Sequence, residues 1–251
     1  MNINDWTTTT AHNSAGYSLD VRFINDVDEA AEQLVSATPN HFNSHYSRVL
    51  ARLGKEQAAA YLQAKLPTTK NIRSGDLGEI IASEYIEAET NFEIPVKRLR
   101  HKDHRNMSMR GDDAIGVYFP QDDTEKIAFL KMEAKSRQAL STNVVSTARE
   151  ALDDNDGRPS PHSLGFIADR LFDQNEDDKA CAILKFNTAS DVDDNQIEHM
   201  LFTYSRNDPT AFHQADQRSY SGNFFQNTVG IYSPSHTDII QNVFETIEEE
   251  L

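Results

Sequence analysis

The sequence predicts an α/β fold, and three observations indicate this class. Apolar residues recur at helical spacing over much of residues 26–88. Two strand-like runs follow, from about Ala114 to Phe119 and from about Ile127 to Lys135, with the polar segment PQDDTEK between them. Further strand-like runs and an amphipathic helix end the chain. We therefore expect a sheet that is flanked by helices.

Composition bounds the class of protein before any motif is considered. With 251 residues, 38% of them hydrophobic and 9% aromatic, the chain is expected to fold as one large α/β domain, or as one domain with a helical extension. Cys181 is the only cysteine, which excludes a disulfide framework and a cysteine-based zinc site. No apolar run approaches the length of a membrane span, and MNINDWTTTT is unlike a signal peptide. We therefore expect a cytoplasmic protein.

Charge is distributed unevenly along the chain. The formal net charge is −16, yet residues 97–110 carry a local charge of +5, which leaves −21 for the remainder. We call this segment the basic block and predict that it binds a phosphate backbone with strong salt dependence. The alternative is a solvated basic loop. The candidate nucleic-acid-binding residues are Lys97, Arg98, Arg100, Lys102, Arg105 and Arg110.

The first 70 residues are predicted to form an N-terminal arm and helical extension, ahead of a second domain at 71–251. Met1 to Asp20, rich in Thr, Asn and Ser, is expected to form an edge strand or loose arm around YSLDVRF. Three helical stretches then follow, with predicted stops at Pro39, Gly54 and Pro67. His41 and His45 lie one turn apart, but packing or surface roles are expected for both, since the Glu of a metalloprotease helix is absent.

The segment 71–88 predicts a helix that is apolar on most sides. Asp76 and Glu79 form a plausible N-terminal capping pair. Glu79 also lies on the face opposite Leu77 and Ile81, where a carboxylate needs a partner such as a metal, a metal-bound water or Lys135. The sequence leaves both interpretations of Glu79 open.

The remaining elements are predicted in chain order. FEIPVKRLR is expected to be the first strand of the sheet, bent at Pro95. STNVVSTAREALD and PHSLGFIADRLF predict helices, and ACAILKF predicts either a strand or a buried helical turn. QIEHMLFTYS and FFQNTVGIYS predict late strands, and Ser235 is expected to cap a C-terminal helix.

Acidic residues and a lysine mark the predicted hairpin as a candidate site. Asp112 and Asp113 open its first strand, while Glu133 and Lys135 lie two residues apart on the second. The period of a strand places the latter two on one face, with Cα atoms roughly 7 Å apart. Acidic-x-Lys triplets arise by chance in so acidic a chain, and another lies in a polar turn at residue 177. The triplet at 133–135 differs because it ends the apolar run IAFLKM.

These residue types suit metal-assisted phosphodiester chemistry. Mg²⁺ prefers oxygen ligands, usually one or two carboxylates with waters and a phosphate, which Asp113 and Glu133 can supply. A lysine nearby can orient a water or stabilise charge on the phosphate. The alternative is an exposed hairpin whose charges form ordinary salt bridges. The chain also lacks a glycine-rich phosphate loop, so we expect no ATP hydrolysis by that route.

An Asp at the start of one strand and Glu-x-Lys late in the next resemble the PD-(D/E)xK nuclease superfamily. Four segments in order, RSGDLGEIIASEYIE, IPVKRLRHKDHRNMSMRGDDAIG, FLKMEAKSR and RPSPHSLGFIADRLF, together resemble the HamA and AbpA proteins of bacterial anti-phage defence. The resemblance covers about Arg73 to Phe172, with a weaker match in SGNFFQNTVGIYSPSHTD.

The resemblance implies a fold, an activity and partners. The fold is a restriction-endonuclease-like core, a mixed central sheet flanked by helices, with an N-terminal helical extension. The activity is a Mg²⁺- or Mn²⁺-dependent deoxyribonuclease, and the partners are DNA and a separate DExH-type helicase similar to the HamB and AbpB proteins. By this resemblance Asp113 and Glu133 are metal ligands, Lys135 is the catalytic lysine and Glu79 is an auxiliary acid.

Two questions stay open at the level of sequence. Asp112 competes with Asp113 as the ligand, and Asp113 is preferred because it directly precedes the apolar run. The rival function is a catalytically silent subunit that binds DNA or clamps a helicase. Competent residue types at all four catalytic positions favour the enzyme.

Overall fold

A six-stranded mixed sheet lies at the centre of the structure. The structure is a computed structural model, and it describes residues 1–14, 17–42, 54–120, 126–189 and 192–250. The strands in these ranges are β1 (Thr7–Ser14), β2 (Tyr17–Ile24), β3 (Ala114–Tyr118), β4 (Ala128–Arg137), β5 (Ile197–Ser205) and β6 (Phe225–Tyr232). Their spatial order is β1-β2-β6-β5-β4-β3.

Helices cover both faces of this sheet, which confirms the predicted α/β class. In the described ranges they are α1 (Val27–Phe42), α2 (Lys55–Lys65), α3 (Lys70–Glu89), α4 (Thr142–Asp153), α5 (Pro161–Asp173), α6 (Asp177–Thr188), α7 (Thr210–Ser219) and α8 (His236–Glu250). Leu34 of α1, Ile80 of α3 and Phe244 of α8 share one apolar cluster on the sheet. Leu164 of α5 and Ile183 of α6 share another with Phe129 of β4. No helix in the described ranges is long and apolar enough to cross a membrane.

Strand pairing joins the two ends of the chain. β2 pairs antiparallel with β1 and parallel with β6, so both strands of the N-terminal hairpin belong to the central sheet. The predicted strand at YSLDVRF is confirmed as β2, but its predicted position at the edge was wrong, because β2 has a neighbour on each side and β1 forms the edge. Apolar side chains explain the position: Leu19 and Val21 are almost fully buried.

Several predicted boundaries were wrong for local physical reasons. Helix α1 continues through Pro39 to Phe42, since packing of Phe42 in the core outweighs the lost backbone hydrogen bond. The predicted helix at residues 40–54, with His45, lies largely outside the described residues. Helix α3 begins at Lys70, so Asp76 lies inside the helix and does not cap it.

The segment FEIPVKRLR forms no strand, which corrects a second prediction. It makes a single bridge from Glu93 to Val117 of β3, and a short 3₁₀ helix, Arg98–His101, follows. Pro95 has no N–H to donate, so a ladder cannot continue through it. ACAILKF belongs to helix α6, which decides the alternative that its sequence left open. β5, β6 and α8 form where the late strands and the C-terminal helix were predicted.

An ion-pair network fastens α1, α3 and the basic block to one another. Glu84 of α3 accepts hydrogen bonds from His41 Nε2 at 2.7 Å and from Lys97 Nζ at 2.8 Å. Burial alone would raise the pKa of Glu84, but these two partners outweigh it and lower the pKa to about 2. Glu84 therefore stabilises the folded state while it is ionised.

We expect Glu84→Gln to lower the free energy of unfolding at neutral pH by on the order of 2 kcal/mol. Because the folded pKa is depressed, this contribution is fully present above the unfolded pKa of about 4.5 and is lost as the pH falls through about 2. Urea titrations of both proteins across this range measure it. Glu87→Gln is the matched control, since Glu87 is a more exposed partner of the same lysine. A difference between Glu84→Gln and the parent that does not change with pH would contradict the assignment.

Candidate active site

Helix α3 lies unusually close to strand β4, and this contact builds one wall of the candidate site. A Cβ atom added at Gly78 would lie 2.9 Å from the Cβ atom of Ser136, closer than side chains tolerate. Only glycine permits this approach of helix to strand. The next residue, Glu79, is consequently held beside the end of the sheet where β3 begins.

Asp113 and Glu133 face each other across the β3–β4 pair. The pairing of Ala114 with Met132 places Asp113 opposite Glu133 in the same register. One carboxylate oxygen of Asp113 accepts a hydrogen bond from the backbone N–H of Ala134 at 3.0 Å, which fixes its orientation. The carboxylate of Glu133 forms an ion pair with Lys135, so these two side chains meet as the strand period predicts.

Burial and neighbouring carboxylates disfavour ionisation of two acidic side chains at the site. Burial, together with repulsion by Asp113, raises the pKa of Glu133 to about 7, although Lys135 acts in the opposite sense. Burial and the same Asp113 also raise the pKa of Glu79 well above its ordinary value. Asp113 therefore lies between two carboxyl groups that it disfavours in their ionised form. A bound cation would relieve this repulsion.

Asp112 points to a different part of the molecule than Asp113. Its carboxylate accepts hydrogen bonds from the N–H of Ser160 at 2.9 Å and from the Ser160 hydroxyl at 2.8 Å, at the start of α5. Lys131 lies 3.7 Å away from its other oxygen. Gly111 has a φ of +87° and approaches Ser163 so closely that a side chain would not fit. This turn directs Asp112 to Ser160, the N-cap residue of α5, and leaves Asp113 at the candidate site.

The candidate site opens into a cleft of about 820 Å³ between α3, the end of β4 and α8. Glu79, Asp113 and Lys135 contribute to its lining. A chain of hydrogen bonds forms another part of the wall, from Ser74 to Ser136 at 2.8 Å and from Ser136 to His236 at 3.1 Å. Burial lowers the pKa of His236 to about 4, so this wall is uncharged near neutral pH. We did not predict these three residues, because no spacing in the sequence connects them.

Comparison with known proteins identifies the family of this chain. A family model described as HamA matches residues 1–247. The chain belongs to the HamA family. It is also similar to a Bacillus cereus protein named Hachiman protein HamA, with 29% identity over 220 residues that cover 84% of this chain and 76% of the relative.

The donor set of this HamA-family chain fits a hard divalent cation with few protein ligands. Among the described residues, no three His, Cys, Asp or Glu side chains are arranged to hold a metal ion. Mg²⁺ does not require three, since it is usually bound by one or two carboxylates and several waters. Asp113 and Glu133 supply two such carboxylates, and their mutual repulsion, which adds to the effect of burial on the pKa of Glu133, would be relieved by a cation between them.

Two lysines of the basic block form ion pairs with carboxylates of this HamA-family protein. Lys102 is only 4% exposed and donates two hydrogen bonds of 2.8 Å to the buried carboxylate of Asp76. Lys97 is paired with Glu84 and Glu87. Their predicted contact with phosphate groups would require these ion pairs to break, so we assign both lysines a structural role.

The arginines of the basic block lie nearer to the solvent. Arg98 donates a hydrogen bond to the carbonyl oxygen of Arg110, and its charge lowers the pKa of Glu79 against the effect of burial. Arg100 and Arg105 donate to backbone carbonyl oxygens in the N-terminal helical segment, while the side chain of Arg110 is exposed. The block is thus folded onto the protein, and Arg98 is the arginine of the block that lines a pocket together with Glu79 and Asp113.

Proposed function

We propose that this HamA-family protein is a metal-dependent deoxyribonuclease with a PD-(D/E)xK core, and that it is an effector of an anti-phage defence system. The observation that carries the proposal is the convergence of Asp113, Glu133 and Lys135 at one end of the β3–β4 pair, with Glu79 beside Asp113. Similarity to the Bacillus cereus Hachiman protein HamA supports a place in the Hachiman defence system.

Each side chain has a distinct task in this proposal. Asp113 and Glu133 would hold Mg²⁺ or Mn²⁺, which when bound polarises a phosphodiester and lowers the pKa of a water. The backbone N–H of Ala134 keeps Asp113 oriented. Lys135, which is paired with Glu133, would orient the attacking water and stabilise charge on the phosphate. Glu79, beside Asp113, would hold a water by a hydrogen bond.

A cleavage assay tests the proposal directly. Purified protein is incubated with supercoiled plasmid and with single-stranded DNA, in Mg²⁺, in Mn²⁺ and in EDTA. We expect cleavage only with the divalent cations, since two carboxylates and a lysine alone leave the phosphodiester unpolarised. No cleavage under any condition, with DNA binding retained, would instead favour the catalytically silent subunit.

The charge of the chain favours a partner that assists delivery of DNA to this site. Outside the basic block the chain carries a formal charge of −21, which repels DNA over long range. The chain also lacks a glycine-rich ATP-binding loop, so it has no motor of that type. We infer that a separate DExH-type helicase binds the acidic exterior and restrains the nuclease until it engages invading DNA.

Co-expression with such a helicase tests the partnership. We expect the two chains to elute together in size-exclusion chromatography, and cleavage by the complex to rise when ATP and DNA are supplied together. The nuclease alone, at the same concentration, is the control. Separate elution, or equal cleavage with and without the helicase, would contradict the inferred restraint.

A further inference from the structure

A second cavity lies beside the candidate active site and has no role in the chemistry described so far. Its volume is about 540 Å³, within the range of about 300 to 1,000 Å³ that is typical of small-molecule sites. Ser108 lines both this cavity and the catalytic cleft. The buried pair of Lys102 and Asp76 also separates them, because Lys102 lines the second cavity and Asp76 lines the cleft.

Arg98 connects the second cavity to the acidic site. It lines the second cavity, and it also lines a small pocket that contains Glu79 and Asp113. Its Nη2 donates to the carbonyl oxygen of Arg110, but its Nη1 is buried and has no hydrogen-bond partner among the described residues. A buried donor without a partner costs free energy unless a ligand or water satisfies it.

The remaining lining includes cationic and apolar groups together with the carboxylates of Asp103 and Asp112, of which Asp112 is held by Ser160. Arg110 supplies a further exposed positive charge, and Phe166 of α5 supplies an aromatic ring. His101 packs edge-on against that ring at 5.4 Å, and burial lowers its pKa, so it presents a neutral heterocycle. Cationic groups beside aromatic and aliphatic surface are the combination that single-stranded nucleic acids recognise through phosphates and bases.

Met107 stands out at the entrance of this cavity. It is 60% exposed, the most exposed large apolar side chain among the described residues. It lies in the basic block, between the positive charges that would hold a DNA backbone. Apolar side chains placed in this way enter between base steps and unstack them.

We propose that the second cavity binds an unpaired nucleotide of the DNA whose neighbouring phosphate lies at the Asp113 site. Phe166 and Met107 stack on the base, and Arg98 and Arg110 bind the phosphate that follows it. The proposal rests on the proposed nuclease function and narrows its substrate to DNA with unpaired nucleotides, such as single strands, frayed ends and bulges. Fully paired DNA has no base to place there without the cost of unpairing.

Equilibrium binding in EDTA tests this without any cleavage. Fluorescence anisotropy measures the affinity of the full-length protein for three labelled DNAs: a duplex, the same duplex with one bulged nucleotide, and a single strand. We expect the bulged and single-stranded DNAs to bind about tenfold more tightly than the duplex, and Met107→Ala to remove most of this preference. Exposure of Met107 makes the variant structurally conservative.

Control variants distinguish base stacking from general electrostatic attraction to DNA and from loss of the folded structure. Phe172 lies on the same helix as Phe166 and is 40% exposed, but it is outside the cavity, so Phe172→Ala should keep the preference. Arg110→Gln should weaken the binding of all three DNAs more than Arg218→Gln does. Arg218 serves as the control because it is an exposed arginine far along the chain. Equal affinity for the three DNAs, or a preference that survives Met107→Ala, would overturn the proposal. A preference without metal-dependent cleavage would leave the cavity assignment standing and remove the nuclease function.

Discussion

Asp113→Asn is expected to reduce the initial rate of plasmid cleavage at least ~10²-fold. The substitution keeps an oxygen that can accept the hydrogen bond from Ala134, but it removes the charge that a cation needs. We therefore expect unchanged circular dichroism and a lost activity. Rates measured at saturating Mg²⁺ and Mn²⁺ check the effect.

Asp112→Asn provides the matched control in the adjacent position. Asp112 accepts its hydrogen bonds from Ser160, so its variant should lose stability at the start of α5 and retain most of the cleavage activity. If Asp112→Asn cleaved DNA more slowly than Asp113→Asn, the metal ligand would have been assigned to the wrong one of these two residues.

The second large effect is expected on stability. Asp76→Ala leaves the ammonium group of Lys102 buried without its partner, and this should lower the free energy of unfolding by about 3–5 kcal/mol. Urea denaturation of the variant and the parent measures the difference. The exposed neighbour Asp103, changed to Ala, should have little effect.

A double variant shows whether the charge is responsible. Asp76→Leu combined with Lys102→Met replaces the buried pair by apolar groups of similar size, which is often neutral or stabilising. We expect the double variant to recover most of the stability lost in Asp76→Ala. Failure to recover would indicate that a shape or hydrogen bond at this position matters more than the unpaired charge.

The hairpin of the candidate site could be predicted because its signal is local. The polar segment between two apolar runs predicts β3 and β4, and the period of a strand predicts that Glu133 and Lys135 meet. The choice between Asp112 and Asp113 could not be made in this way. It depends on the positive φ of Gly111 and on Ser160, which is 48 residues further along the chain.

Other features are invisible to local patterns because they depend on distant pairing. Asp76 was interpreted as a helix cap, but its partner is Lys102, and only the folded chain brings the two together. The close approach of Gly78 to Ser136 likewise places Glu79, whereas periodicity could only show that its face of the helix needed a polar partner. FEIPVKRLR has the composition of a strand, yet Pro95 prevents the ladder.

The parallel pairing of β2 with β6 has a consequence for synthesis of the protein. Ser18 and Asn227, which are hydrogen-bonded across these strands, are 209 residues apart. At about 5–20 residues per second, a ribosome needs roughly 10 to 40 s to add the second strand after the first. During this time one edge of the β1–β2 hairpin has no partner strand. β5, which pairs with β4, is completed only late in the same interval. A chain that terminates before β5 and β6 therefore lacks the strands that pair with β4 and with β2, and the β3–β4 pair that carries Asp113 and Glu133 stays without its neighbour in the sheet.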